Sequence, residues 1–111
     1  MIRRGTTTET PMDFETLAVA LDGPIATVRL ARPDKANAMN LAMWHEIRRA
    51  FQWIDETPVA RVAILEGEGR HFTAGIDLAM MAGLLPQVHD DCDGRSREKL
   101  RRVILDLQDT L

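Results

Sequence analysis

The stretch of the chain best suited to chemistry is GRHFTAGIDLAMM, from Gly69 to Met81. It follows an apolar run and leads into a predicted helix, with Gly75 and Asp77 at the junction. Glycine lets another molecule approach the backbone closely, and the first amides of a helix have no partner inside it. Three interpretations compete: a structural strand-to-helix turn, a phosphate cradle, and backbone amides directed at a carbonyl oxygen.

The phosphate cradle fits poorly. Gly67 and Gly69 match the first two glycines of the dinucleotide fingerprint G-x-G-x-x-G, but Phe72 occupies the third position. No Walker-type Lys-Ser/Thr pair follows. The sequence therefore argues against a nucleotide site.

The other two interpretations both use Gly75 and Asp77. In a structural turn, glycine supplies a positive φ and the aspartate accepts hydrogen bonds at the helix start. In the chemical interpretation, the N–H of Ile76 faces a carbonyl oxygen and stabilises the negative charge that develops there. The donor belongs to the backbone, so the Ile76 side chain need not be polar.

Composition limits the function classes. The chain has 111 residues, 45% of them hydrophobic and 28% charged, which suits one globular domain at most. Its net charge is -3, which gives no electrostatic reason to expect nucleic acid. It has no apolar run that could form a membrane helix, and its N-terminus lacks the apolar core of a secretory signal. The lone Cys92, among acidic neighbours, predicts an unreactive loop thiol and suits a cytoplasmic location.

The histidines are better explained as surface residues than as catalytic groups. His71 belongs to the glycine-rich stretch, His45 to the polar side of a predicted helix, and His89 to a predicted loop. None stands at metal-ligand spacing, so we expect no metal. We expect no cofactor either, and the bound small molecule would be the substrate.

The elements that must position the stretch follow from periodicity. Alternating apolar residues predict two strands, over 16–21 and 25–32, joined by an Asp-Gly-Pro turn. Apolar residues then recur at helical spacing over 43–54, with Asn40 as the predicted N-cap. The nearly continuous apolar run over 59–67 predicts a strand covered on both faces, as in a parallel sheet.

A polar, flexible loop is predicted over 84–96, and an amphipathic helix from Leu100 to Leu111. The order is β-β-α-β-α, with one crossover connection and no stop signal after the last helix. This order indicates the opening portion of a larger α/β domain, apparently truncated; an independently folded domain is the alternative. We expect a flexible tail over 1–13 and the domain over 14–111.

Two motifs in this order resemble the N-terminal part of the crotonase (enoyl-CoA hydratase/isomerase) superfamily. IATVRLARPDKANAMN carries Arg-Pro-x-x-x-Asn-Ala. VAILEGEGRHFTAGIDL is a strand that ends in Gly-x-Gly-x-x-Phe, a small residue, and Ala-Gly-x-Asp-Leu. The resemblance runs from about Phe14 to Leu111, and FTAGIDL is most similar to dienoyl-CoA isomerases.

The resemblance implies a ClpP/crotonase spiral fold of β-β-α units that binds an acyl-CoA thioester. Two backbone amides would polarise the thioester carbonyl, and the N–H of Ile76 would be the first. Members of the family usually assemble as trimers or as dimers of trimers. The positions that correspond to CoA and acyl-channel contacts are Lys35, Ala36, Ala38, Ala74, Gly75, Ile76, Asp77 and Leu78.

Structural explanations stand beside these roles. A lysine in a turn, such as Lys35, is commonly just solvated. Asn37 commonly satisfies amides of its own turn, and Asp77 commonly caps a helix.

The chain departs from the family pattern in what it lacks. The family's second oxyanion amide and its acid/base carboxylates follow the helix that ends this chain, and neither Asp106 nor Asp109 matches their motifs. The resemblance therefore implies an N-terminal segment of an enzyme that hydrates enoyl-CoA or moves its double bond. The segment alone would be inactive. The alternative is a non-catalytic, crotonase-derived assembly module that uses its amphipathic helices.

Overall fold

The computed structural model describes residues 13–110 and the backbone of Thr8 and Glu9. These residues form a four-stranded sheet with three α-helices and one short 3-10 helix. The strands are β1 (Thr8–Glu9), β2 (Leu17–Asp22), β3 (Ile25–Leu30) and β4 (Val62–Gly67), adjacent in that order. The 3-10 helix is Pro33–Lys35, and the α-helices are α1 (Leu41–Asp55), α2 (Leu78–Val88) and α3 (Asp93–Gln108).

The predicted hairpin is confirmed. β2 and β3 pair antiparallel, with Leu17 opposite Leu30 and Asp22 opposite Ile25. Gly23 sits in the two-residue connection with a φ of +58°, in the left-handed region that such tight turns require.

The predicted tail is described at only three positions, Thr8, Glu9 and Asp13. Thr8 and Glu9 form β1 and pair antiparallel with β2. The rest of the tail, 1–7 and 10–12, lies outside the described residues, so its flexibility stays a prediction.

The predicted helix α1 and its cap are also confirmed. The Asn40 side chain accepts a hydrogen bond of 2.9 Å from the N–H of Met43, which satisfies one of the otherwise unpaired donors of the first turn. α1 packs on one face of the sheet, and the core between them is built from apolar side chains of β2, β3 and α1, together with Met39 from the segment before α1. Its buried residues are Leu17, Val19, Val28, Leu30, Met39, Met43, Ile47 and Ala50.

The strand β4 pairs parallel with β3, as predicted, through the α1 crossover. The prediction that both of its faces are covered is wrong for the part of the chain that the structure describes. Val62 is 54% exposed and Ile64 43% exposed. The reason is the layer arrangement, because α1 packs mainly on β2 and β3, and α2 and α3 pack on each other.

The loop predicted over 84–96 is wrong for most of its length, because α2 runs to Val88 and α3 begins at Asp93. Pro86 is tolerated because it lies in the last turn of α2, where its missing N–H costs one hydrogen bond, to the exposed Ala82. The true loop is therefore only 89–92.

The Asp90 side chain holds this short loop against the first turns of α3. Its carboxylate accepts hydrogen bonds from the Cys92 N–H at 3.0 Å, from Arg95 Nε at 2.9 Å and from Lys99 Nζ at 3.0 Å. The Ser96 hydroxyl also donates to the Asp90 carbonyl at 3.0 Å. The Cys92 N–H, followed by Lys99 and Arg95, lowers the pKa of the Asp90 carboxyl from 3.8 to about 2.

We therefore expect Asp90 to make the stability of the protein depend on pH. A carboxyl whose pKa is lower in the folded state stabilises the fold above pH 4, and this contribution is lost as the pH falls towards 2. In urea unfolding, Asp90→Asn should lower the midpoint most above pH 4 and least near pH 2. Asp91→Asn, at the exposed neighbour, is the control; a difference between wild type and Asp90→Asn that does not shrink on acidification would contradict the role of this carboxylate.

The predicted C-terminal helix is confirmed as α3, and it starts earlier than expected. Its apolar face is open: Leu100 is 46% exposed and Ile104 43% exposed. Leu111 lies outside the described residues. Cys92 is a free, exposed thiol directly before α3.

Candidate active site

The candidate site forms where two loops meet, and Asn37 joins them. We call residues 32–39 the asparagine loop and residues 68–77 the glycine loop. The Asn37 side chain is fully buried, and its Oδ1 accepts from the Arg32 N–H at 2.8 Å. Its Nδ2 donates to the carbonyls of Glu68 at 2.8 Å and His71 at 2.9 Å. Asn37 thus satisfies its own turn, as the structural explanation proposed, and also fixes the second loop.

The first glycines of the motif are explained by close packing. A Cβ on Gly67 would collide with the backbone carbonyl of Phe72 and lie 2.7 Å from that of His71. Gly69 has a φ of +84°, and a Cβ there would lie 3.1 Å from the side chain of Pro33. The two glycines therefore let the glycine loop fold back on β4 and against the asparagine loop.

Asp77 caps the helix α2. Its Oδ1 accepts from the N–H groups of Ala79 at 2.8 Å and Met80 at 3.3 Å. Its Oδ2 lies 3.2 Å from Arg32 Nη1, which also donates to the carbonyl of Ala38. The Met80 N–H and the Arg32 guanidinium lower the pKa of Asp77 below its ordinary 3.8, so its carboxylate is ionised and held in structural bonds.

The peptide between Gly75 and Ile76 is held in one orientation. The Gly75 carbonyl accepts from the Met39 N–H at 2.7 Å, and the Asp77 N–H donates to the Met39 carbonyl at 3.0 Å. In a trans peptide the C=O and N–H point in opposite directions. The N–H of Ile76 is therefore directed away from Met39, and within residues 13–110 no acceptor receives it.

The structure brings most of the predicted site residues together. The Ala74 N–H donates to the Ala36 carbonyl at 2.9 Å, next to Gly75, whose φ is +95°. Ala38 and Asp77 are linked through Arg32, as described above. At the two ends of this region the Lys35 side chain is exposed and Leu78 is 84% exposed.

Three residues of the site were not predicted: Arg32, Met39 and Thr73. Arg32 belongs to the quoted motif, but no local pattern indicates that its guanidinium reaches Asp77. Met39 acts through its backbone, which leaves no signal in the side chain. Thr73 carries a hydroxyl between the two loops, where it bonds to the Asn37 carbonyl at 2.7 Å.

The histidines do not converge on this region. His71 is exposed and enters the site only through its carbonyl. His45 lines a cleft of about 370 Å³ between the three helices, together with Leu41, Met80 and Leu84. His89 lines another, shallower groove between α2 and α3. Ile76 lines neither of these two clefts and is 37% exposed, on the open surface of the glycine loop.

Two kinds of feature are absent from the described part of the chain. It contains no cluster of three or more His, Cys, Asp or Glu side chains that could hold a metal ion. Nor is any of its helices both long and apolar enough to span a membrane.

Comparison with known proteins identifies the family. A family model described as Enoyl-CoA hydratase/isomerase matches residues 21–110. The chain is 42% identical over 83 residues to the mitochondrial Delta(3,5)-Delta(2,4)-dienoyl-CoA isomerase of Mus musculus, which covers 75% of this chain and 25% of that protein. It is 34% identical over 103 residues to the peroxisomal Delta(3,5)-Delta(2,4)-dienoyl-CoA isomerase of Arabidopsis thaliana. That match covers 92% of this chain and 37% of that protein.

Solved structures agree with this match. An enoyl-CoA hydratase/isomerase from Marinobacter aquaeolei superposes with a TM-score of 0.68 at 34% identity, over 86% of this chain and 36% of that one. An enoyl-CoA hydratase/carnithine racemase from Magnetospirillum magneticum superposes with a TM-score of 0.69 at 28% identity, over 95% of this chain and 36% of that one. The chain spans between a quarter and just over a third of the length of the two curated relatives. It therefore belongs to the enoyl-CoA hydratase/isomerase (crotonase) family and corresponds to the N-terminal region of that α/β fold, with dienoyl-CoA isomerases among its relatives.

Proposed function

We propose that the chain is the N-terminal segment of an enzyme that acts on an enoyl-CoA thioester, with the N–H of Ile76 as one donor of its oxyanion hole. The observation that carries this proposal is the fixed, outward orientation of that N–H. Its peptide is held by Met39 on the carbonyl side, and no described residue uses the amide side.

The chemistry follows from where charge develops. Hydration of an enoyl-CoA, or movement of its double bond, passes through a state in which the thioester oxygen carries negative charge. A donor that is already in position stabilises that charge without reorganising during the reaction. The hydrogen bond from Met39 to the Gly75 carbonyl polarises the same peptide, and this strengthens its N–H as a donor.

The residues around Ile76 support a CoA thioester as the ligand. The side chain of Lys35 is exposed, so we propose that its ammonium approaches a phosphate of CoA and that the small residues Ala36 and Ala38 lie beside the adenine ring. Leu78 presents an exposed apolar side chain two residues after the donor, where an acyl chain would leave the thioester. Several relatives are named as dienoyl-CoA isomerases or enoyl-CoA hydratases, so we propose one of these two reactions.

The acid/base group of the proposed reaction would come from outside the described residues. Asp77 is held by Arg32 and by the start of α2. Asp106, on α3, lies 3.3 Å from Arg48, and Asp109 lines a separate cleft with that arginine. We therefore propose that residues 1–111 alone turn over crotonyl-CoA negligibly. The complete enzyme is proposed to form trimers or dimers of trimers, and the cytoplasm is its proposed location.

The proposal is tested by deleting the Ile76 N–H. Ile76→Pro removes this donor, which the fold does not use, while Ile76→Val keeps it and trims the side chain. In calorimetric titrations, wild type and Ile76→Val should bind crotonyl-CoA more tightly than free CoA. Ile76→Pro should lose about tenfold in crotonyl-CoA affinity, the effect of one hydrogen bond to a charge-bearing oxygen, and bind free CoA unchanged. Equal crotonyl-CoA affinity in wild type and Ile76→Pro would refute the donor role.

A second candidate function is an assembly module without catalysis. It is favoured by the exposed apolar residues of β4, Val62 and Ile64, and by the open face of α3. Light scattering after size-exclusion chromatography separates the two candidates. A stable oligomer of unchanged size with and without CoA supports the module, whereas a ligand-dependent change supports the enzyme segment.

A further inference from the structure

The Thr73 hydroxyl lies between the two loops and makes two hydrogen bonds. It donates to the Asn37 carbonyl at 2.7 Å and accepts from the Gly75 N–H at 3.1 Å. A hydroxyl has one proton, and here that proton points at Asn37. The oxygen is therefore left as an acceptor on the side that faces Gly75.

Packing does not hold Gly75 in place. Its φ is +95°, and a Cβ built on it would meet no atom within 4 Å. Glycine has the widest range of backbone conformations of any residue. The direction of the next N–H, that of Ile76, therefore depends on what restrains the peptides on either side of Gly75.

Each of these two peptides is restrained by one hydrogen bond. The peptide after Gly75 is held through its carbonyl by the Met39 N–H. The peptide before it is held through its N–H by the Thr73 hydroxyl. Without the hydroxyl, the peptide before Gly75 loses that hydrogen bond, although the Ala74 N–H still donates to the Ala36 carbonyl. The Ile76 N–H is then held only by the Met39 bonds to the Gly75 carbonyl and the Asp77 N–H, and not from the side of Thr73.

We propose that Thr73 is a positioning residue, whose hydroxyl fixes the peptide before Gly75 and so keeps the Ile76 N–H directed at the thioester oxygen. This inference rests on the function proposed for Ile76. The Thr73 hydroxyl contacts Gly75, the neighbour of the donor, and not the ligand. The proposed role therefore requires a hydroxyl at position 73 but no particular side-chain size.

The test uses the whole 111-residue chain, labelled with nitrogen-15, and follows individual amides by NMR during titration with crotonyl-CoA and with free CoA. Thr73→Ser keeps the hydroxyl, and Thr73→Val replaces it with a methyl group of similar size. Thr57→Val is the matched control, because the Thr57 hydroxyl bonds to the Trp53 carbonyl at the end of α1, outside both loops.

In wild type, Thr73→Ser and Thr57→Val, crotonyl-CoA should shift the Ile76 amide proton downfield, and free CoA should not. In Thr73→Val, the resonances of the asparagine loop should still respond to either ligand. The downfield shift at Ile76 should be lost, and the affinity for crotonyl-CoA should fall about fivefold to tenfold. A Thr73→Val protein whose Ile76 amide responds like that of wild type overturns the positioning role.

The outcomes separate the two proposals. If crotonyl-CoA leaves the Ile76 amide of wild type unchanged, the proposed function itself fails. If wild type responds and the variants at Thr73 do not differ from each other, only the role of Thr73 fails. A further measurement, amide hydrogen exchange in ligand-free wild type, does not depend on any variant folding. The Gly75 amide, which is hydrogen-bonded, should exchange more slowly than the Ile76 amide. Equal exchange rates would overturn the inference.

Discussion

Replacing Asn37 with alanine is expected to lower the free energy of unfolding by about 3–5 kcal/mol, because each buried partner left unpaired costs about 1–3 kcal/mol. The change removes three hydrogen bonds at once and leaves the Arg32 N–H and the carbonyls of Glu68 and His71 without their partner. Asn37 also has a φ of +55°, where asparagine is better tolerated than alanine.

Urea unfolding followed by tryptophan fluorescence measures this loss. Asn40→Ala is the matched control, since it removes the same type of side chain but only one hydrogen bond, at the start of α1. A helix N-cap is worth about 1 kcal/mol, so the control should lose about a third of what Asn37→Ala loses or less. Equal losses in the two variants would show that Asn37 does not join the loops.

Replacing Gly67 with alanine is the second change with a large expected effect, a loss of about 3 kcal/mol. The new methyl group would overlap the backbone carbonyl of Phe72 and approach that of His71, and neither is the end of a flexible side chain. The glycine loop would have to move away from β4. We therefore expect the NMR resonances of residues 68–77 to shift or broaden, while those of α1 stay in place.

The control for this change is Gly83→Ala. Gly83 lies within α2, and a Cβ there would meet no atom within 4 Å. Alanine is the better helix former, so this variant should gain up to about 1 kcal/mol. The same chemical change is thus expected to act in opposite directions at two glycines, and a Gly67→Ala protein as stable as wild type would contradict the close packing at the end of β4.

Patterns of neighbouring residues correctly predicted the elements that are determined by short-range interactions. The hairpin followed from alternation and an Asp-Gly-Pro turn, and α1 followed from helical periodicity and the cap at Asn40. The helix boundaries around Pro86 and Asp93 did not follow. Proline, aspartate and glycine are typical of loops, but here proline lies in a last helical turn and Asp90 holds the next helix start through side chains up to nine residues away.

The sequence predicted where the candidate site lies in the chain, but not the hydrogen bonds that hold it together. The glycine-rich motif indicated Gly75 and Ile76, and the family resemblance supplied a role for the N–H. The contact of Arg32 with Asp77 spans 45 residues, and that of Thr73 with Asn37 spans 36. Such contacts depend on how the chain returns to the sheet, which no local pattern records. The exposed face of β4 was missed for a related reason. An apolar strand can be buried on both faces, but its sequence does not tell whether another element packs on each face.

The pairing of Met39 with the segment around Ile76 bears on how such a protein changes over evolutionary time. Both the proposed donor and the group that orients it are main-chain atoms, so they persist when the side chains at these two positions are exchanged. Under the proposed function, mutations at the exposed Ile76 would change the surface beside the ligand, and mutations at the buried Met39 would change the core, while the main-chain donor and its partner stay in place. Substrate preference and chemical competence would then diverge independently.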